Sequence, residues 1–186
     1  MKSIRNVLGL HFTTLIMFGL LFPLLIWGIG KLFPQQANGF PIYKSGKLIG
    51  FANIGQKFTE DKYFWGRPSA VDYNAASTGG SNFGPTNPAY LDSVEHRIND
   101  FLKRNPGIKR VQIPADLVTA SGSGIDPDIS VQGALVQIPR VARARGLSED
   151  QLKRLVDEHI GKPLFGLFGP ERVNVLKLNL ALDKLN

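Results

Sequence analysis

Two short glycine- and serine-rich runs hold most of the residues of this chain that could do chemistry: Ser77-Thr78-Gly79-Gly80-Ser81 and Ser121-Gly122-Ser123-Gly124. Successive backbone N–H groups in such runs can cradle an anion. The plainer reading of each is a tight, hydrogen-bonded turn. A phosphate loop would need Gly-Lys followed by Ser or Thr, so that the lysine neutralises charge and the hydroxyl holds magnesium. The Gly-Lys pairs here continue as Gly30-Lys31-Leu32, Gly46-Lys47-Leu48 and Gly161-Lys162-Pro163, and none qualifies. Gly122-Ser123-Gly124 lacks the third glycine of a dinucleotide fingerprint. Ser121 or Ser123 as a nucleophile would need His96 or His159 as base. No Gly-x-Ser-x-Gly elbow exists, and both histidines fall on predicted helices beside charged residues, which suits surface positions better. Asp126 and Asp128 flank Pro127 with no further acid nearby, so they suit capping ahead of Ile129-Ser130 better than cation binding. Arg140, Arg143 and Arg145 read as a polar helix face or a contact with another protein chain. Zero cysteines exclude a disulfide framework, a thiolate metal site and a catalytic Cys, and three histidines leave little for a His-rich centre. Neither a catalytic residue nor a metal set emerges.

The elements that must position these runs begin with an apolar stretch. Residues 6–30 hold no Lys, Arg, Asp or Glu. As a helix they would cover roughly 37 Å, more than the roughly 30 Å core of a bilayer. Phe12, Leu15, Phe18, Leu21, Leu25 and Trp27 lie in this span, and Pro23 predicts a kink where one backbone bond is lost. A cleaved signal peptide would have a shorter apolar region and a small-residue cleavage site, and residues 31–38 offer none. Lys2 and Arg5 favour a cytoplasmic amino terminus, which places the remainder outside, in a periplasm-like space. The charge divides accordingly. Of the net +7, Lys2, Arg5 and Lys31 contribute +3; the other 155 residues carry 19 bases and 15 acids, a net +4. A domain outside the cell meets no genome, so nucleic acid is not an expected partner.

The chain after the span reads as one mixed domain, giving an α+β class with residues 1–33 as tail and transmembrane helix and 34–186 as extracytoplasmic domain. Residues 35–39 form a linker, and residues 41–51 read as two short strands around a Ser-Gly turn. Residues 66–88 carry too many Gly, Pro, Ser and Asn for a regular element, and a loop of that length in a compact domain is usually functional or disordered. Asn87-Pro88 starts a helix that stops before Asn105-Pro106-Gly107. Residues 111–118 read as a strand interrupted by Pro114. Ser130 caps a helix to Arg145, kinked at Pro139 and ended by Gly146. Ser148 with Gln151 makes a capping box for the next. The alternation of Leu176, Leu178, Leu180 and Leu182 with polar residues predicts a half-buried C-terminal strand.

Several runs in register resemble the KdpC family, the small accessory subunits of Kdp potassium-transporting ATPases. They are Gly66-Arg67-Pro68-Ser69-Ala70, Tyr73-Asn74, Gly79-Gly80-Ser81-Asn82, Asn87-Pro88, the stretch from Asp116 through Gly124, Ile138-Pro139-Arg140-Val141-Ala142, and Arg172 through Asp183. They cover nearly the whole chain. The resemblance implies a single-pass accessory subunit of an inner-membrane, ATP-driven potassium importer. Its implied partners are a channel-like potassium-binding subunit, an ATP-hydrolysing P-type subunit, a small stabilising subunit and membrane lipid. The chain lacks an Asp-Lys-Thr-Gly-Thr phosphorylation motif, so hydrolysis belongs elsewhere. The family is described as a catalytic chaperone for nucleotide binding, with ATP a possible ligand. An outer domain does not meet cytoplasmic ATP, so the residues favour a structural role bracing the potassium entrance. Should nucleotide or a partner bind, the candidate contacts are Arg67, Ser69, Asn74, Gly79, Gly80, Ser81 and Asn82 in one loop. Ser121, Gly122, Ser123, Gly124 and Asp126 form the other. The alternative from the residues alone is a membrane-anchored hydrolase or ligand-binding domain outside the cell.

Overall fold

The computed structural model describes residues 2–185 and divides into two compact units, Met1–Ile49 and Gly50–Asn186. The first unit is built on α1 (Lys2–Ile16) and α2 (Phe22–Leu32), joined without a break by one π turn, Met17–Leu21. Proline has no N–H, and its ring collides with the carbonyl four residues back, here that of Gly19. The widened turn accommodates Pro23, with the Phe22 N–H reaching Met17 O. The segment Ser3–Leu32 has a mean hydropathy of 2.1 in its strongest window and is long and apolar enough to cross a membrane, with none of that window buried. Its hydroxyls are returned to the helix: Thr13 donates to Gly9 O at 2.8 Å and Thr14 to Leu10 O at 3.0 Å. Lys31 lies over the Trp27 ring at the far end, 4.9 Å from its centroid. The stretch expected as linker holds a short helix, α3 (Pro34–Ala37). The hairpin of β1 (Pro41–Lys44) and β2 (Lys47–Phe51) turns at Ser45 and Gly46, both with positive φ, as expected for a two-residue connection.

In the second unit, α4 (Pro88–Arg104) starts where Asn87 accepts from the Ala89 N–H at 2.9 Å. Residues 111–118, expected as a strand, instead form two 3-10 turns, Arg110–Gln112 and Ala115–Leu117, because Pro114 supplies no ladder donor and sits at the start of the second turn. Three short antiparallel strands make the sheet in the order β3 (Asp128–Ile129), β5 (Arg172–Asn174), β4 (Ile160–Gly161), with Val173 opposite both Ile129 and Ile160. The helix expected from Ser130 to Arg145 is two, α5 (Val131–Leu135) and α6 (Ile138–Arg145), since Pro139 sits in the first turn of the second. Ser130 caps α5, and Gly146 ends α6 with φ 67°. The Ser148–Gln151 box opens α7 (Glu149–Glu158), which buries Leu152, Leu155 and Val156.

The C-terminal strand expected from leucine alternation is largely a helix. Only Arg172–Asn174 pairs as β5, and α8 (Val175–Leu182) follows, capped by the Asn174 side chain on the Lys177 N–H. Val175, Leu178, Asn179 and Leu182 are buried, a helical spacing hidden within the alternating one. Phe64, Val141, Leu152, Val156, Val173, Leu178 and Leu182 form the middle of the core, all fully enclosed.

Candidate functional site

The site is built outward from an extended segment, residues 63–69, that belongs to no sheet. Its backbone is held by amide side chains in place of a neighbouring strand. Asn179 of α8 accepts from the Phe64 N–H and donates to Phe64 O, each at 2.9 Å. Gln137 does the same for Trp65, at 2.8 and 3.2 Å. Arg140, expected on a polar helix face, is 3% exposed. Its guanidinium donates to Asp61 O, Tyr63 O, Asn105 Oδ1 and Gln137 Oε1 and lies 3.8 Å from the Trp65 ring centroid. Burial pushes its pKa down to about 10, so it keeps its charge at neutral pH. Helical spacing aimed Arg140 at the surface only if the extended segment over it was overlooked. Arg145 is similarly enclosed and pairs with Asp183 at 2.7 Å.

Beyond Trp65 the chain enters the long loop, which has a defined fold. Ser69 Oγ accepts from the N–H groups of Val71 and Tyr73, holding a turn in which Asp72 and Tyr73 both take positive φ. The Tyr73 hydroxyl donates to Arg67 O, and burial, with Asp126 nearby, raises its pKa to about 12. Asn74 Oδ1 accepts from the Ala76 N–H. Two bonds then join this loop to the 121–126 loop, far along the sequence: Gly79 N–H to Ser123 O at 2.9 Å and Ser121 N–H to Pro68 O at 3.0 Å. Arg67 closes the junction on Asp126 at 3.0 Å, leaving its buried Nε without a hydrogen-bond partner.

Where the loops touch, glycine is required at Gly124 and a side chain would be tight at Gly80. A Cβ at Gly80 would stand 3.1 Å from Gly122 O; one at Gly124, whose φ is +72°, would strike the Val71 side chain and lie 2.7 Å from Gly79 O. The structure thus gathers Arg67, Ser69, Gly79, Gly80, Ser121, Gly122, Ser123, Gly124 and Asp126 into one assembly. Asn74 is spent within its own turn, and Ser81 and Asn82 follow the contact, Asn82 with φ 55°.

The chemistry open to this assembly is narrow. Ser121 is 2% exposed and accepts from the Gly124 N–H, while Ser123 Oγ accepts from the Ile125 N–H. Neither hydroxyl bonds a histidine, and His159 Nδ1 is held against Leu155 O on its own helix. No hydrolase constellation is therefore assembled at these serines. Asp126 accepts from the Asp128 N–H, and Asp128 holds Asn174 and Arg172. The capping of Ser130 falls to Asp116, which accepts from both its N–H and its hydroxyl, a role that sequence reasoning did not assign to it.

Alongside the junction lies an open cleft of about 380 Å³, walled by Trp65, Arg67, Tyr73, Arg97, Phe101 and Arg104. Four cations line it, Lys57, Arg67, Arg97 and Arg104, with two acids, Asp72 and Asp100; Arg67 is paired with Asp126 at 3.0 Å and Arg104 with Asp61 at 3.1 Å, so with these partners counted the lining carries no net excess of charge. Lys57 pairs with Asp72 at 2.6 Å and Arg97 donates to Val118 O at 3.1 Å. Guanidinium groups set among aromatic walls can meet an anionic group. Arg97 and Arg104 were not singled out from the sequence; their seven-residue spacing on α4, with Asp100 between, was the available signal.

The family model described as "K+-transporting ATPase, c chain" (KdpC) matches residues 4–184. This chain belongs to the KdpC family. Among its relatives, the "Potassium-transporting ATPase KdpC subunit" of Flavobacterium psychrophilum is 51% identical over 185 residues, covering 100% of both chains. Its counterpart from Flavobacterium johnsoniae is 52% identical with the same coverage, and that of Bacteroides fragilis is 47% identical over 100% of this chain and 98% of its own. The family match runs unbroken from the apolar helix through both loops of the junction to the end of α8.

Proposed function

We propose that the chain is the accessory KdpC component of an ATP-driven potassium importer, anchored in the inner membrane by its single apolar helix. The observation that carries this reading is similarity over the full length of both chains to potassium-transporting ATPase KdpC subunits. In this reading residues 1–33 are tail and span, the amino terminus is cytoplasmic, and residues 34–186 lie outside. The span packs on the channel-like subunit, and the outer domain braces the potassium entrance by contact. A net +4 domain does not concentrate potassium by attraction. Replacing residues 12–30 with an unrelated apolar span is expected to lower recovery of the assembled pump and growth at limiting potassium. Unchanged assembly and growth would overturn specific packing of the helix. A Cys introduced at Gly46 is expected to react with an impermeant reagent in intact cells; protection there, with reaction after lysis, would reverse the topology.

A second reading, contact with nucleotide as a catalytic chaperone, draws support from the arginine-lined, aromatic-walled cleft beside Arg67. It predicts saturable ATP binding by the full chain in detergent, weakened by Arg67→Ala with Arg97→Ala. No binding at millimolar ATP would remove it.

A further inference from the structure

Between β4 and β5 the chain forms a small finger, residues 164–168, of sequence Leu-Phe-Gly-Leu-Phe. Leu164 is 63% exposed, Phe165 83%, Leu167 79% and Phe168 65%. Among the described residues of the second unit, these are four of the eight exposed large apolar side chains; Phe83, Leu91, Val111 and Leu185 are scattered elsewhere. Scattered apolar residues are ordinary, whereas four within one short finger mark an interaction site.

The finger is also closed on itself. Leu164 and Phe168 exchange two backbone bonds, at 3.0 and 3.1 Å. The Gly166 N–H reaches Pro163 O at 2.9 Å, and the Leu167 N–H reaches Leu164 O at 3.1 Å. Four of its five N–H groups are thus satisfied without water. Pro163 and Pro170 flank it, and Phe165, Gly166 and Gly169 take positive φ, so the shape is set by the backbone. No carboxylate occurs from His159 to Pro170, and Lys162 stands at the base of the finger.

We propose that this finger inserts into the headgroup–acyl boundary of a lipid bilayer, as a second membrane contact of the chain. The inference rests on the reading of Ser3–Leu32 as a membrane span. Three features select lipid as the occupant. A bilayer offers no hydrogen bonds in its apolar layer, so a backbone that approaches it is favoured when internally paired, as four of the five N–H groups and the Leu164 and Phe168 carbonyls of this finger are. Lys162 at the base of the finger favours an anionic headgroup surface, and the nearest acids in sequence, Glu158 and Glu171, lie outside the finger. The tether keeps the domain close: eighteen residues from Leu32 to Gly50 reach at most about 60 Å even when fully extended, which holds the finger at high effective concentration near the surface.

The absence of cysteine makes the test direct. Phe165→Cys and, separately, Val111→Cys of the full chain would carry an environment-sensitive label. Val111 is 90% exposed and lies outside the finger. Both are reconstituted in phosphatidylcholine–phosphatidylglycerol vesicles containing a shallow spin-labelled lipid, and Trp27 emission in the same samples, read after subtracting the Trp65 signal of a Trp27→Phe control, reports insertion of the span. The expected result is Trp27 quenched, with the label at 165 quenched several-fold more than that at 111. Trp27 quenched with 165 unquenched, or both labels quenched alike, would overturn the finger while leaving the anchor standing. Trp27 unquenched would overturn the anchor and the finger together. In the assembled pump, shielding of position 165 from lipid with photocrosslinking to another subunit would mean that a protein covers the finger, and would also overturn the proposal.

Discussion

Arg140 and Arg67 bracket the same extended segment and are held in opposite ways. Arg140 is enclosed, meets no carboxylate among its hydrogen bonds, and is satisfied by two carbonyls, two amide oxygens and the face of Trp65. Arg67 is about one-quarter exposed, pairs with Asp126, and leaves its Nε without a hydrogen-bond partner beside an open cleft. A cation whose donors are all used in fixing backbone belongs to the architecture. A cation that is partly exposed at the edge of a cleft is the one that can meet a ligand or a partner.

Arg140→Ala tests the first half of that contrast and has the largest expected effect. It leaves buried carbonyls and amide oxygens without donors, at about 1–3 kcal/mol for each unsatisfied group, so a loss of roughly 3 kcal/mol or more is expected. Denaturant unfolding of the full chain in detergent measures it, and a loss below about 1 kcal/mol would mean that water replaces the guanidinium. Gly124→Ala should follow, at about 2–3 kcal/mol, because it adds backbone strain at positive φ to a collision with Val71. Indifference there would show that the two loops separate at little cost. Arg67→Ala is expected to cost only about 1 kcal/mol, since its ion pair is partly solvated. A loss as large as that of Arg140→Ala would erase the distinction between the two.

The smallest effect at neutral pH belongs to Tyr73. Its folded pKa, about 12, lies above the ordinary value of 10, so the unfolded chain gives up this proton first as pH rises. Its contribution is complete below pH 10 and is lost between about 10 and 12. Tyr73→Phe should therefore flatten that part of the stability profile, and an unchanged slope would place the phenol in water.

The same contrast explains what could be read in advance. Helix starts were legible because each is written in a few adjacent residues: Asn87-Pro88, Ser130, Ser148 with Gln151. The end at Gly146 was equally local. The C-terminal helix was misread because Val175, Leu178 and Leu182 share a helical face while Leu176 through Leu182 also alternate. The deciding residue is Asn179, a polar side chain buried for the sake of Phe64, more than a hundred positions away. Arg140 was misread for the same reason, its partners being carbonyls of a segment that no sheet pattern announces. Both loops of the junction were visible as unusual sequence. Their union was not, because it runs through backbone groups, which every residue has and no composition reveals.

The π turn at Met17–Leu21 has a consequence for any helix that packs along this one. A π turn holds one residue more than an α turn, which rotates everything after it by about 100° relative to everything before. The stripe that an unbroken helix would draw through Gly9, Thr13 and Trp27 therefore passes, beyond the turn, to Gly28 one position later, and Trp27 faces about 100° away from it. A neighbour gripping the whole length would meet a residue pattern displaced by one position midway, like a thread that shifts phase. Complementarity to such a helix is consequently harder to imitate with a uniform apolar span than length or hydropathy alone would suggest.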